Sequence, residues 1–172
     1  MAGTLTVRTA TLADQGAVDA LLARSYPALL KADYAPSVLV TAVPLISRAQ
    51  PRLLASGTYY VVTDEAGAIL GAGGWTEAAP AGGARQGGIG HVRHVVTDHR
   101  RTRQGIGRAL MGHVLRTAAA AGVRRMECLS TLTAVPFYAA MGFRILGPTT
   151  VPLRAGIAFP AVAMARDVDS PL

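Results

Sequence analysis

Between a β-rich run and an alanine- and leucine-rich segment, the chain places four arginines, a glutamine and two glycines in "HRRTRQGIGR", His99 to Arg108. A strand that leads through such a turn into a helix gathers free backbone N–H groups and the positive end of the helix dipole at one point, which favours an anion. Gly105 and Gly107 let the backbone approach a diphosphate without a Cβ in the way, and Arg103 and Arg108 add charge-assisted hydrogen bonds to phosphate oxygens. The stretch is not a P-loop, because no Gly-Lys-Ser/Thr follows, and it lacks the third glycine and downstream acid of a dinucleotide fingerprint. Taken alone it also fits a tight turn that needs glycine only for packing.

Other residues with chemistry to offer are few. "HVRHVVT", His91 to Thr97, carries two imidazoles and a guanidinium on a strand. Side-chain alternation sets His91, Arg93, Val95 and Thr97 on one face and Val92, His94 and Val96 on the other. An imidazole of pKa about 6.5 is mostly neutral at pH 7 and can accept a proton directly or through water. The single cysteine, Cys128, sits in the apolar "MECL" and reads as a buried filler, since no partner motif accompanies it.

The elements that position these groups follow from periodicity. "LTVRTA" alternates as a half-buried strand, and a helix with Asp14 as N-cap carries Val18, Leu21, Leu22 and Tyr26 as far as Pro27. Leu29 to Leu54 reads as helical pieces broken by Pro36, Pro44 and Pro51. Thr58–Thr63 and Ala68–Trp75 form a hairpin about "DEAG", and Ala79 to Gly88 is a mobile loop. After the His91–Thr97 strand and the glycine turn comes a helix to about Ala121, closed by Gly122. "RRMECLST" is a strand; "TAVPFYAAM" is a short helix with Thr133 as N-cap and Gly142 as stop; "FRIL" and "FPAVAMA" are the last strands, joined by a Pro- and Gly-containing loop. This order predicts an α/β chain with a mixed sheet.

The length of 172 residues suits one domain over 1–172, and 51% hydrophobic content supplies a core. No apolar run reaches the roughly 18 residues of a membrane span, and the first residues lack a signal-like pattern, so a soluble cytoplasmic protein is expected. The net charge of +7 suits an anionic ligand. Sixteen of the 17 basic residues are arginine, so the clustering at the glycine turn carries more weight than the total. A nucleic-acid module is disfavoured, because aromatics are 5% of the residues and none lies in the arginine cluster.

With "HVRHVVT", "TRQGIGRAL" and "TAVPFYAAMGF" in this order, the chain resembles the GCN5-related N-acetyltransferase (GNAT) superfamily from Leu5 to Ala165. The resemblance implies a mostly antiparallel sheet of six to seven strands with a splayed central pair and flanking helices. It implies acetyl-CoA as cosubstrate, no metal, and acetyl transfer to a primary amine by direct attack in a ternary complex. The pyrophosphate loop would be Thr102, Arg103, Gln104, Gly105, Ile106, Gly107 and Arg108. Thr102 stands where the family usually carries Arg or Gln, a side-chain contact that Arg103 and Gln104 can supply. Backbone groups of Val95, Val96 and Thr97 would pair with the pantetheine amides, as would Thr131, which stands where many relatives have Asn.

By the same resemblance Tyr138 is the general acid and His91 the base, with His94 in reserve. A phenol of pKa about 10 stays protonated at neutral pH and can donate to a thiolate of pKa about 8.5. A backbone N–H near Val95 or Val96 would stabilise the oxyanion. Arg93 would meet an acidic group of the acceptor, and Trp75, Glu77 and Tyr34 would line its side. The acceptor, small molecule or peptide, is not named by any motif; neither membrane nor nucleic acid is implied, and a homodimer is left open. A catalytically silent acyl-CoA-binding sensor or interaction domain is the alternative function.

Overall fold

The structure, a computed structural model, describes residues 3–80 and 82–168. Seven strands make one sheet in the order β1-β2-β3-β4-β5-β7-β6: β1 Thr6–Thr9, β2 Tyr59–Thr63, β3 Ile69–Thr76, β4 Ile89–Thr97, β5 Arg125–Ser130, β6 Arg144–Pro152 and β7 Ala158–Asp167. Every neighbouring pair is antiparallel except β4 and β5. The mostly antiparallel mixed sheet expected from the sequence is therefore present.

One face of the sheet is covered by α5, Ile106–Ala120, and α6, Val135–Ala140. Ile106, Leu110, Val114, Leu115 and Ala118 recur at helical spacing on α5 and bury one stripe with Trp75, Val92, Met126 and Met164. Gly122 closes α5 in the left-handed region at φ +91°, and the N–H of Val123 reaches back to the Ala118 carbonyl at 3.0 Å. The opposite face carries α1, Gln15–Leu30, and three short helices, α2 Pro36–Thr41, α3 Val43–Ile46 and α4 Pro51–Leu54. Each short helix has proline in its first turn, where the missing N–H costs no helical bond. Leu21, Leu22, Leu30, Leu54, Val61 and Val96 form that second core.

Several local expectations are corrected. Pro27 does not end α1, which continues one turn because Leu30 is buried in the second core. Asp14 stands before α1 but makes no side-chain cap to it; its carboxylate takes Arg8 at 2.8 Å and the Thr11 N–H at 2.8 Å. Thr133 does not cap α6 but donates to Asp33; Thr131 instead accepts the Ala134 N–H at 3.1 Å. The stretch after "FRIL" remains in β6 as far as Pro152, since an edge strand tolerates proline.

The largest correction falls on β4. Gly74 faces Arg93 and Ala72 faces Val96, so His94 and Val95 together oppose Gly73. This is a β-bulge, with His94 at φ +49°. Alternation is broken there: Val92 and Val95 pack in the core under α5, whereas Val96 packs in the core under α1. The two-face division expected for His91–Thr97 thus holds only as far as Arg93.

Candidate functional site

β4 and β5 stay paired for three positions, Ile89 with Arg125, Gly90 with Met126 and His91 with Glu127, and then part. The β4 chain runs on to Thr97 and β5 to Ser130 without further pairing, so the sheet is split from within. A cleft of about 860 Å³ follows the split, with Val95, Val96, Thr97, Cys128, Leu129 and Thr131 on its walls. The glycine turn lines it as well, as do Leu29, Ile46 and Phe159.

Backbone polar groups border this split. The Asp98 N–H donates to the Leu70 carbonyl at 2.8 Å, so antiparallel alternation turns the polar groups of Thr97 away from β3. The Val95 carbonyl accepts from the Tyr26 hydroxyl at 2.7 Å, and the His94 carbonyl from the Tyr59 hydroxyl at 2.9 Å. These two phenols brace the bulge from the α1 side. Burial pushes both of their pKa values well up, so they remain donors.

The turn is anchored by a residue that sequence reasoning missed. Asp98 is buried and accepts from the Arg100 backbone N–H at 3.0 Å, from Arg100 Nε at 3.1 Å and Nη2 at 3.0 Å, and from Arg24 Nη2 at 3.4 Å. These hydrogen bonds, with Arg100 contributing most, hold its carboxyl well below the usual range. An Asp directly before a basic turn is an N-cap signal, and here it caps the single helical turn His99–Arg101. Arg100 is thereby committed to structure. Among the described residues no carboxylate pairs with Arg101, Arg103 or Arg108, and all three line the cleft.

Within the turn the two glycines differ. Gly105 is in the left-handed region at φ +81°, precedes α5 and faces open space. Gly107 is needed for packing, because a Cβ there would come within 2.8 Å of Phe137 on α6. Its expected role in close approach to a diphosphate is thus joined by a helix–helix contact. Arg103 is itself left-handed at φ +62°. Thr102 is on the cleft wall, Ile106 is buried beneath it against Gly71, and Gln104 is exposed on the turn but not on the wall.

Tyr138 lines the cleft with its ring edge-on to Phe137 and Phe143. Burial, reinforced by the neighbouring Cys128 thiol, raises its pKa well above that of a free phenol. The Cys128 thiol is itself pushed up to about 12 by burial, which leaves it inert at neutral pH. Thr131 lies on the wall at the start of α6.

His94 is on the cleft wall, and its Nε2 lies 2.7 Å from the Ile46 carbonyl. A carbonyl only accepts, so Nε2 carries the proton and Nδ1 is left as a shielded lone pair with no partner among the described residues. Burial lowers the His94 pKa. His91 stands just where the strands part, half-buried and outside the cleft lining; burial lowers its pKa, with Glu127 opposing and Arg93 assisting. Arg93 is on the wall. Three residues expected on the acceptor side are not among the cleft-lining residues: Trp75 is in the α5 core donating to Thr117, Glu77 pairs with Arg85, and Tyr34 bridges Pro160 and Leu132 while stacking on Phe159 of the wall.

Comparisons with known proteins agree with this architecture. The chain superposes on a GCN5-related N-acetyltransferase from Rhodopseudomonas palustris, described also as a class-II aminotransferase, with a TM-score of 0.78 at 18% identity, covering 97% of this chain and 98% of that one. The PaiA N-acetyltransferase of Thermoplasma acidophilum, in complex with coenzyme A, gives a TM-score of 0.67 at 9% identity over 95% and 99% of the two chains. The ribosomal-protein-S18-alanine N-acetyltransferase of Escherichia coli gives 0.64 at 17% over 98% and 96%. At these identities the likeness is one of fold. No curated protein sequence matches the chain. The family described as "Acetyltransferase (GNAT) domain" matches residues 30–165, most of the chain's length, and the protein belongs to that family.

Proposed function

We propose that the protein is an acetyl-CoA-dependent N-acetyltransferase that passes the acetyl group directly to a primary amine of a small molecule or peptide within a ternary complex. The observation that carries this reading is the parting of β4 and β5 beyond His91, which leads into the glycine turn with its three cleft-lining arginines. An elongated ligand with amides along its length and phosphates at one end matches that arrangement, as the split offers backbone groups and the turn offers cations. Val95, Val96, Thr97 and Thr131 serve the amide arm. Thr102, Arg103, Gln104, Gly105, Ile106, Gly107 and Arg108 form the phosphate turn. The coenzyme A held by the Thermoplasma relative supports the choice of cosubstrate.

In the transfer, the amine nitrogen bonds to the acetyl carbon as the carbon–sulfur bond breaks. A strand N–H near Val95 or Val96 stabilises the oxyanion. The amine gives up one proton, taken by His91 or, from the cleft wall, His94. Both are held neutral by lowered pKa values. The thiolate takes a proton from Tyr138, whose raised pKa keeps it loaded until needed. A silent acyl-CoA sensor would share the same cleft, and the deep burial of Tyr138 among Phe137, Phe143 and Cys128 favours that second reading. Thiol release measured across a panel of amines, beside calorimetric acetyl-CoA binding, separates the two. Binding without amine-dependent thiol release would favour the sensor, and absence of binding would remove both.

A further inference from the structure

Arg93 follows Val92, which is buried under α5, so alternation sends its side chain out on the α1–α3 side of the sheet. There it is half-buried at the cleft wall. Its one side-chain hydrogen bond among the described residues runs from Nη1 to Thr76 Oγ1 at 3.0 Å. Among the described residues no carboxylate pairs with it, and burial alone shifts its pKa, downward. A partly desolvated guanidinium without a counter-ion is costly, and an arriving anion offsets that cost.

The rest of the wall narrows the choice. Not one Asp or Glu lies among the described cleft-lining residues, so the cleft has nothing with which to hold a second positive charge on an acceptor. Leu29, Leu30, Ile46, Leu153 and Phe159 give it an apolar surface instead. The part of the Arg93 fork not used by Thr76 remains available for a planar oxyanion.

We propose that the acceptor is a primary amine that also carries a carboxylate and an apolar body, with Arg93 pairing the carboxylate and the apolar wall receiving the body. The inference rests on the acetyl-transfer reading given above. It makes Arg93 a specificity residue: a compound lacking the carboxylate leaves the guanidinium uncompensated, whereas a polyamine gains nothing. Burial is the main cause of the lowered His91 and His94 pKa values, and a carboxylate on Arg93 offsets the smaller contribution of the Arg93 charge.

The test compares L-leucine with 3-methylbutylamine, and L-phenylalanine with 2-phenylethylamine, in thiol release by wild type and by Arg93→Met, with rates expressed per neutral amine. Wild type should favour each acid over its decarboxylated partner by about ten- to a hundredfold in kcat/KM, the range for one charge-assisted pair. Arg93→Met should erase that preference, slow the acids alone, and leave acetyl-CoA affinity unchanged by calorimetry. Equal use of acid and amine by wild type, or a preference that survives in Arg93→Met, would overturn the proposal. So would a fall in acetyl-CoA affinity, which would assign Arg93 to the cosubstrate. If no amine is turned over although acetyl-CoA binds, calorimetry of N-acetyl-L-leucine on the CoA-loaded protein decides. Binding that is lost in Arg93→Met supports the carboxylate site even as transfer fails; no binding by wild type removes the site.

Discussion

Phe137 on α6 occupies the space that a side chain on Gly107 of α5 would need, with a notional Cβ only 2.8 Å from Cε1 and 3.1 Å from Cζ of the ring. The start of α5 and the second signature segment are therefore held together by a missing methyl. Gly107→Ala should destabilise the fold by about 1–3 kcal/mol, the usual cost of overpacking, even though alanine is the better helix former. Thermal melting checks this, and Phe137→Leu in the same chain should restore part of the loss. An unchanged melting temperature in the single variant would show that the ring moves aside freely.

At Gly105 the obstacle is conformational rather than spatial, since φ is +81° and nothing lies near a Cβ. Gly105→Glu adds strain and a negative charge at the mouth of the anion turn, and should abolish acetyl-CoA binding. Arg103→Ala should weaken it by about 1–3 kcal/mol, as the loss of one charge-assisted contact would. Calorimetry reads both, and normal affinity in Gly105→Glu would leave the arginine cluster as a solvated face.

With an acceptor in hand, Tyr138→Phe should lower kcat by about 10²–10⁴-fold while leaving acetyl-CoA affinity nearly intact, the pattern of a group used in the transition state. The packing of the ring against Phe137 and Phe143 is retained by phenylalanine, so folding is not the variable. Full activity in this variant would make the phenol a core residue only.

Both candidate bases have pKa values below the usual imidazole range, so the competent neutral form persists to more acidic pH than a free histidine allows. Activity should accordingly fall only on the acid side of about pH 6.5. The variant that removes the true base, His91→Ala or His94→Ala, should be slow near neutrality, recover partly as pH rises, and lose that acid limb. If the limb keeps its position in both variants, the proton leaves through water. Circular dichroism separates loss of folding, to which His94, bonded to Ile46, is the more exposed.

Asp98→Asn tests the anchor of the turn. The native carboxyl titrates below its unfolded value, so its stabilisation is present above the ordinary carboxylate pKa of about 3.9 and is lost as pH falls through the folded value. The substitution should cost about 1–3 kcal/mol at neutral pH and flatten acid unfolding. Acetyl-CoA affinity should fall too, because the single helical turn His99–Arg101 loses its cap. Equal stability of variant and wild type from pH 3 to 7 would deny Asp98 that role.

The succession of elements along the chain, the α5 stripe and the short proline-started helices could be read from periodicity and from Pro36, Pro44 and Pro51, because those signals are local. The bulge could not, since the extra residue exists only relative to a partner strand, although the pattern of "HVRHVVT" already breaks where Arg93 and His94, both polar, precede Val95 and Val96, both apolar. A hint lay on that partner: Cβ atoms on Gly73 or Gly74 would run into Val95 or into the backbone of Thr58, and such a glycine run marks close approach. Tyr34 and Trp75 use their hydroxyl and indole N–H on partners distant in sequence, Pro160 and Thr117, which no sequence spacing reveals. Asp98 was overlooked because its two arginine partners differ greatly in distance along the chain, Arg100 nearby and Arg24 on α1.

The parting of β4 from β5 places a strand edge in the middle of a sheet rather than at its rim. Rim edges invite other chains to add to them. This interior one narrows to a closed fork at His91, within a sheet that carries helices on both faces. A slender molecule with peptide groups along its length suits such a fork. The protein thus keeps a strand edge within its own sheet, where the Tyr26 and Tyr59 hydroxyls already answer two of its carbonyls and the rest face the cleft rather than the rim.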